Sequence, residues 1–255
     1  MLAQYIANTQ NLLQLPGAPT SLYSTANVTL WVNIARGQLA GESESVRVFG
    51  TIPTVVGQRQ YNFSSINIGT PSSTGIQGVI NVRNILYDVG TGMKWVKNKS
   101  WQWFLFQRLN NPVPQSGFPT EWAQYAQGSA GLGSITGQGT GTQSSGSFYV
   151  DPLPDIVYTL NCDCACYPIA LAEDTDPEAL PYLWSDAVPY FAAYLALMSA
   201  QTGQRLQEAQ QMFQLYEQFA ARARAFANPP VNRYGYEQAQ DPTMANKLGV
   251  SGKAQ

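Results

Sequence analysis

Apolar residues recur at three- and four-residue steps in two consecutive runs within residues 186–228. Ala187, Tyr190, Phe191, Tyr194, Leu195 and Met198 form one stripe, and Leu206, Ala209, Phe213, Tyr216, Ala220 and Ala223 form the next. That period places each set on one face of an α-helix. Asp186 stands where a carboxylate can accept the free N–H groups of a helix start, and Pro189 falls in the first turn, where its missing donor does no harm. Gly203 supplies the break through a left-handed backbone, and Pro229-Pro230 stops the second run. The pattern predicts a hairpin of two amphipathic helices whose stripes need a further apolar surface.

The N-terminal end offers one. Leu2, Tyr5, Ile6, Thr9, Leu12 and Leu13 give a helical stripe that ends before Pro16-Gly17. A second helix follows, with Ser24 as N-cap, Val28, Trp31, Val32, Ala35 and Leu39 on one face, and Gly41 as its stop. Packing the two pairs together satisfies both sets of stripes and predicts a helical bundle built from the two ends of the chain.

Between them the pattern changes. Val46, Val48, Thr51 and Ile52, then 61–63, then 76–86 are rich in β-branched and aromatic residues punctuated by Gly57, Gly69, Pro71, Gly75, Gly90 and Gly92. These read as short strands joined by turns. Residues 76–86 carry apolar side chains in both phases, among them Ile80 and Val82, so this strand is either buried on both faces or set against a neighbouring subunit. Trp101-Gln102-Trp103-Phe104-Leu105-Phe106 fits helix and strand templates about equally. A core element is its plainer reading; an aromatic platform for a sugar or a protein, involving Trp95, Trp101 and Trp103, is the functional one. Residues 117–125 read as turn then strand, and strand character resumes at 148–150 and 156–166. Residues 128–146 are almost all Gly, Ser, Thr, Gln and Ala and bury too little apolar surface to offset ordering, which predicts a flexible loop.

The expected fold is therefore α+β. Residues 1–41 with 180–228 make the helical bundle, residues 42–179 an inserted antiparallel β domain, and residues 229–255 an extended C-terminal tail. Tyr234, Tyr236, Met244 and Leu248 are spaced along that tail so that an extended segment lays anchors on a neighbour.

Composition narrows the function. The chain is 44% hydrophobic but only 12% charged, against about 25% in ordinary soluble domains. A surface made of Gln, Asn, Ser, Thr and Gly suits a protein covered by partners or by copies of itself. The net charge of −2 argues against a phosphate-gripping face. Lys94, Lys97 and Lys99 read as a solvated turn. No apolar run is long enough to span a membrane, and residues 1–15 lack the pattern of a signal peptide, so synthesis and assembly in a cytoplasm are expected.

Catalytic chemistry finds little support. The chain has no histidine, which removes Ser-His-Asp and Cys-His arrangements, and no phosphate-cradling Gly-Lys-Ser/Thr loop. Cys162, Cys164 and Cys166 alternate along one strand, too poorly placed to pair and short of a fourth metal ligand; the plain reading is three buried apolar residues in a reducing compartment. Glu173, Asp174, Asp176 and Glu178 lack the spacing of a helix-loop-helix calcium site and read as a solvated loop. Glu121 with this cluster could form a hydrolytic carboxylate pair, but nothing in the sequence brings them together. No catalytic residue, cofactor or metal is expected.

The order of elements supplies a positive reading. Asp151-Pro152-Leu153-Pro154-Asp155-Ile156-Val157-Tyr158-Thr159-Leu160, then Tyr167-Pro168-Ile169-Ala170-Leu171, then Asp174-Thr175-Asp176, then Leu180-Pro181 lead into the long helical hairpin. This layout resembles the head-to-tail adaptor (connector) proteins of tailed bacteriophages, the short-tailed type in particular. The resemblance implies a virion neck protein. Twelve copies would form a ring that joins the portal to a tail tube or nozzle protein and lines a channel through which DNA passes without specific binding. It also implies that the C-terminal arm docks on the portal. The alternative is a β-rich carbohydrate- or receptor-binding module, or another tail structural protein. Trp95, Trp101, Trp103, Ile80 and Val82 are the candidates for contacts between subunits.

Overall fold

A computed structural model describes residues 1–14, 23–88, 92–110, 115–127, 146–200 and 203–227. The expected turn at Pro16-Gly17, nearly all of the 128–146 loop, and the 229–255 tail lie outside the described residues. In chain order the elements are α1 (Leu2–Leu12), α2 (Thr25–Ser43), β1 (Arg47–Pro53), β2 (Gln60–Asn62), α3 (Pro71–Thr74), β3 (Ile76–Asp88), β4 (Met93–Asn98), α4 (Trp101–Asn110), β5 (Glu121–Ala126), β6 (Ser147–Asp151), β7 (Thr159–Pro168), α5 (Ala187–Ser199) and α6 (Gly203–Ala227). Single 3-10 turns sit at Phe63–Ser65 and Tyr182–Trp184.

The helices from the two ends of the chain meet on α5. It packs against α1, α2 and α6, and α2 also touches α6. Its aromatic residues pair with those of α6 in antiparallel register: Tyr190 with Phe219 at 5.4 Å, Phe191 with Tyr216 at 4.7 Å and Tyr194 with Phe213 at 5.0 Å between ring centroids. Each such pair adds about 0.5–1.5 kcal/mol beyond the area it buries. Because helices crowd α5 from several sides, its burial exceeds a single stripe. Val188, Ala192, Ala193 and Ala196 are fully buried, while Met198 of the expected stripe is exposed. Small residues there let the helix axes approach closely.

Two of the expected helix boundaries move, and one expected cap forms no bond. Asp186 occupies the N-cap of α5 but makes no side-chain capping bond, because the chain arrives through the Tyr182–Trp184 turn already in helical backbone. Gly203 is the first residue of α6; α5 has already ended at Ser199, with the Ala200 N–H closing on the Leu197 carbonyl at 3.1 Å. Ser24 does cap α2, accepting the Asn27 N–H at 3.3 Å, but Gly41 lies inside the helix. The left-handed stop is Glu44 (φ 51°), and its carboxylate accepts from Asn81 Nδ2 at 3.1 Å and pairs with Arg83 at 3.5 Å. Gly41 instead faces Tyr167: a Cβ placed there would lie 3.8 Å from that ring.

The strands form one seven-stranded sheet in the order β1-β7-β3-β4-β5-β6-β2. It is mixed rather than antiparallel, since β4 and β5 run parallel through Lys97–Glu121 and Asn98–Trp122. The chain between them passes through α4, as a parallel connection requires a crossover. Laid flat, the steps between seven strands would hold the β1 and β2 edges about 29 Å apart. Only the seven-residue step from Pro53 to Gln60 joins those edges, a reach of at most roughly 25 Å. The sheet therefore curls. Asn67, just beyond β2, exchanges both backbone bonds with Thr51 of β1 at 3.0 and 2.8 Å.

Bulges explain the two apolar phases of β3. Register shifts against β7 fall between Val79 and Asn81 and between Val82 and Asn84, so the inward phase changes partway along the strand. Val79, Ile80, Val82, Ile85 and Tyr87 are consequently all buried within the chain. One apolar cluster runs from Leu2, Val28, Val32 and Leu39 through Ile85, Leu160 and Cys164 to Val188 and Tyr216. It crosses the expected borders at residues 41–42 and 179–180.

A buried ion pair locks the connector between β7 and α5 onto α2. The Arg36 guanidinium, fully buried, donates from Nε and Nη2 to the two Glu178 carboxylate oxygens at 3.1 and 2.7 Å. Its Nη1 donates to the Ile169 carbonyl at 2.6 Å and to Asn33 Oδ1 at 3.2 Å. Asn33 in turn donates to the Leu171 carbonyl at 3.0 Å and accepts the Leu171 N–H at 2.8 Å. The acidic cluster is thus not simply a solvated loop. Glu178 is a core ion, Asp176 accepts the Ala172 and Glu173 N–H groups, and exposed Asp174 pairs with the Met1 ammonium at 2.5 Å.

Removing one partner of a buried pair strands the other charge. Arg36→Leu or Glu178→Leu alone is expected to lower unfolding free energy by about 3–5 kcal/mol, and the double Leu variant to recover most of it. Urea unfolding of the three variants checks this; equal losses in single and double variants would contradict it.

Candidate assembly surfaces

The residues expected at a subunit surface separate into two groups. Ile80 and Val82, 6% and 2% exposed, are spent in the chain's own core by the β3 bulges. Trp95, Trp101 and Trp103 lie on the β4–α4–β5 side. Trp95 is half exposed on β4, opposite Leu86. Trp101 wedges its ring against Tyr125 and Tyr149, each at 4.7 Å, with interplanar angles of 57° and 56°. Trp103 lies 5.3 Å from Phe104, and Lys99 Nζ sits 5.0 Å over its ring while pairing with Glu121 at 3.3 Å.

The window 101–106 is a helix, but not the core element its composition suggests. Only Phe104 is buried there; Leu105 and Phe106 point outward. Among the described elements it packs mainly on β5, with Trp101 reaching Tyr149 of β6, and Leu105 and Phe106 stay exposed.

Two further apolar surfaces went unread in the sequence. At the end of the sheet away from the helices, Val55, Val56, Ile156 and Val157 are all more than half exposed. They sit on two loops held rigidly together. The Thr54 N–H donates to the Tyr158 carbonyl at 2.8 Å, the Tyr158 N–H donates to Thr54 Oγ1 at 2.7 Å, and the Gly57 N–H donates to the Pro154 carbonyl at 2.9 Å. Paired β-branched residues beside Pro53, Gly57 and Pro154 are the available signal; the strand expected at 156–166 takes in Ile156 and Val157, and no expected element includes Val55 and Val56. At the helical end, Tyr182, Leu183 and Phe226 are 74%, 75% and 73% exposed. Leaving Leu183 and Phe226 in water forgoes roughly 1.5–3 kcal/mol each of burial free energy. Grouped exposure of this kind marks a surface that meets something else.

The polar groups build no reactive centre. Among the described residues, no three His, Cys, Asp or Glu side chains gather as a metal site, and no helix is long and apolar enough to cross a membrane. Lys94 and Lys97 lie exposed on β4 rather than in a turn. Cys162, Cys164 and Cys166 face the core as free thiols, and Asp163 between them points the other way. There it pairs with Arg47 and accepts from Asn84 Nδ2 at 3.2 Å. Burial pushes all three thiols up, Cys164 to about 12.

The model of the SU10 adaptor protein family matches residues 2–235, nearly the whole chain. The chain belongs to that family. It is a bacteriophage adaptor, a structural protein of the virion, which implies a non-enzymatic role. A search of curated protein sequences gives no match. In an adaptor the relevant sites are contact surfaces, and the candidates among the described residues are the α4 face, the sheet tip and the helical end. Tyr234, Tyr236, Met244 and Leu248 lie outside the described residues.

The adaptor's thiols provide a test of the core. Their raised folded-state values keep them protonated where unfolded thiols begin to ionise. The stability they contribute is therefore complete below the unfolded value near 9.0 and is lost as pH rises through the folded ones. A disulfide-exchange reagent at mildly alkaline pH is expected to leave the native chain untouched and to titrate three thiols after unfolding in denaturant. Rapid reaction of the native protein would show that the strand opens.

Proposed function

We propose that this chain is the head-to-tail adaptor of its phage, joining the portal to the tail tube or nozzle as a closed ring of copies, twelve by analogy with the layout it resembles. The observation that carries the reading is the family match across residues 2–235. Two physical features support it. Exposed apolar groups occur at both ends of the molecule and along α4, which suits a subunit with neighbours on several sides. The net charge of −2 with 12% charged residues suits a channel wall along which DNA slides without being gripped. Permanent rings of this kind bury more than ~2,000 Å² per contact. Residues 229–255, with Tyr234, Tyr236, Met244 and Leu248 as anchors, form the arm that docks on the portal.

The second reading is a carbohydrate- or receptor-binding tail protein. It is favoured by one observation, the Trp101, Tyr125 and Tyr149 cluster with Tyr125 more than half exposed. The tilt between those rings presents edges more than one flat face, which suits stacking on a sugar poorly.

Native mass measurement of the purified chain, alone and mixed with portal rings of the same phage, separates the two. A multiple of the 27.9 kDa subunit that adds to the portal mass is the expected result. A stable monomer that ignores the portal and binds glycan would overturn the adaptor reading. Truncation before Asn228 is expected to weaken portal docking while the thermal transition of the fold survives.

A further inference from the structure

The helical-end patch has a definite relation to the point where the proposed docking arm leaves the fold. The Tyr182–Trp184 turn is closed by the Trp184 N–H on the Pro181 carbonyl at 2.9 Å, and the Ser185 hydroxyl donates to the Tyr182 carbonyl at 2.7 Å. That turn is pinned to the end of α6 by the Trp184 and Phe226 rings, 5.4 Å apart. So held, it presents Tyr182 and Leu183 outward beside Phe226, at 74%, 75% and 73% exposure. The rim is polar. Arg222, one helical turn before Phe226, lies over the Phe219 ring, while Arg224 donates from Nε to the Glu42 carbonyl at 2.9 Å. An apolar centre with a hydrogen-bonding rim is the ordinary anatomy of a protein contact.

Ala227, the last residue of α6, adjoins Phe226, and its carbonyl accepts from Arg83 at 3.5 Å. Covalent reach then limits where the arm's first anchors lie. Tyr234 is seven residues past Ala227, so it stays within roughly 25 Å of that residue in any conformation. A body that captures Tyr234 and Tyr236 is therefore tethered to the end of α6 that carries Phe226, within reach of Tyr182 and Leu183. A second copy is the weaker occupant, because it has no comparable tether to this point.

We infer that Tyr182, Leu183 and Phe226 are the footing on which the arm's partner sits: the portal buries this patch together with the arm, opposing it with apolar side chains and placing acceptor groups against Arg222. The inference rests on the portal-docking reading above. It makes the contact two-part, with a flat apolar seat on the folded body and a tethered segment that brings the seat to its target. Tethering raises the effective concentration of the seat near its partner without any new contact.

The test uses full-length chain and portal rings of the same phage in four forms: wild type, Leu183→Asp, the triple variant Tyr182→Ser/Leu183→Ser/Phe226→Ser, and truncation before Asn228. Leu183→Asp guards against a folding defect in the triple variant, since its side chain is three-quarters exposed. The expected result is unchanged ring mass and melting for Leu183→Asp, with portal affinity reduced about tenfold or more although the arm is intact. Truncation reduces it as well. If truncation weakens docking and both patch variants bind like wild type, the footing is wrong and the docking arm stands. If neither truncation nor patch variants weaken docking, the portal reading itself fails. Loss of ring mass in Leu183→Asp would make the patch a subunit contact and overturn the inference in another way.

Discussion

Everything in this fold depends on where the connector between β7 and α5 is fixed, and the Arg36–Glu178 pair fixes it. Without that pair, residues 169–180 would be an acidic, proline-containing segment anchored chiefly by the buried Leu171 and Leu180. With it, the guanidinium in α2 collects the Glu178 carboxylate, the Ile169 carbonyl and Asn33 in one buried knot. Asn33 then holds both backbone groups of Leu171. The sheet ends and the C-terminal helices begin on either side of this knot. A lone buried charge costs so much that the two partners enforce each other's position, and a hydrophobic substitute would fit without specifying the same register. Tyr5 of α1 sits against the same carboxylate. Burial first, and the Glu178 charge second, push its phenol up.

That constraint explains how the two ends of the chain and the middle form one molecule. The connector delivers α5 between α1, α2 and α6, where small residues permit close approach and three aromatic pairs set the register with α6. On the other side, α2 runs directly into β1 and touches the end of β7 through Gly41 and Tyr167. The curled sheet extends away from this point. Apolar groups left over by the fold gather in several places, among them the Val55, Val56, Ile156 and Val157 tip, the outer face of α4, and the Tyr182, Leu183 and Phe226 end. A low-charge chain with uncovered apolar groups is built to be placed between neighbours.

How much of this was legible depended on whether a signal was local. The helical stripes were, because a 3.6-residue period survives whatever the helix later packs against. Ser24 capped α2 as its residue type requires, since the bond spans only three residues. Gly41 and Gly203 misled for a common reason. Glycine permits a helix stop but also permits close contact or a helix start, and the choice is made by a partner far away in sequence. Glu44 took the left-handed stop because Asn81 and Arg83 of β3 receive its carboxylate. Ile80 and Val82 looked two-faced because bulges, which depend on register with β7, cannot be seen in β3 alone.

Local patterns along the chain were enough to specify the class of the protein. They set helices at both ends, strands between them, buried free thiols, too little charge for a solitary surface and no histidine for the commonest chemistry, because each of these is a matter of composition or of spacing within one element. Tertiary structure decided what each surface residue is for. Glu178 is a core ion while its neighbour Asp174 is exposed, and Phe104 is buried while Phe106 is bare. β4 and β5 are parallel within an otherwise antiparallel sheet. Such outcomes rest on pairings between residues as many as 182 positions apart, and no local pattern encodes which distant side chain will arrive.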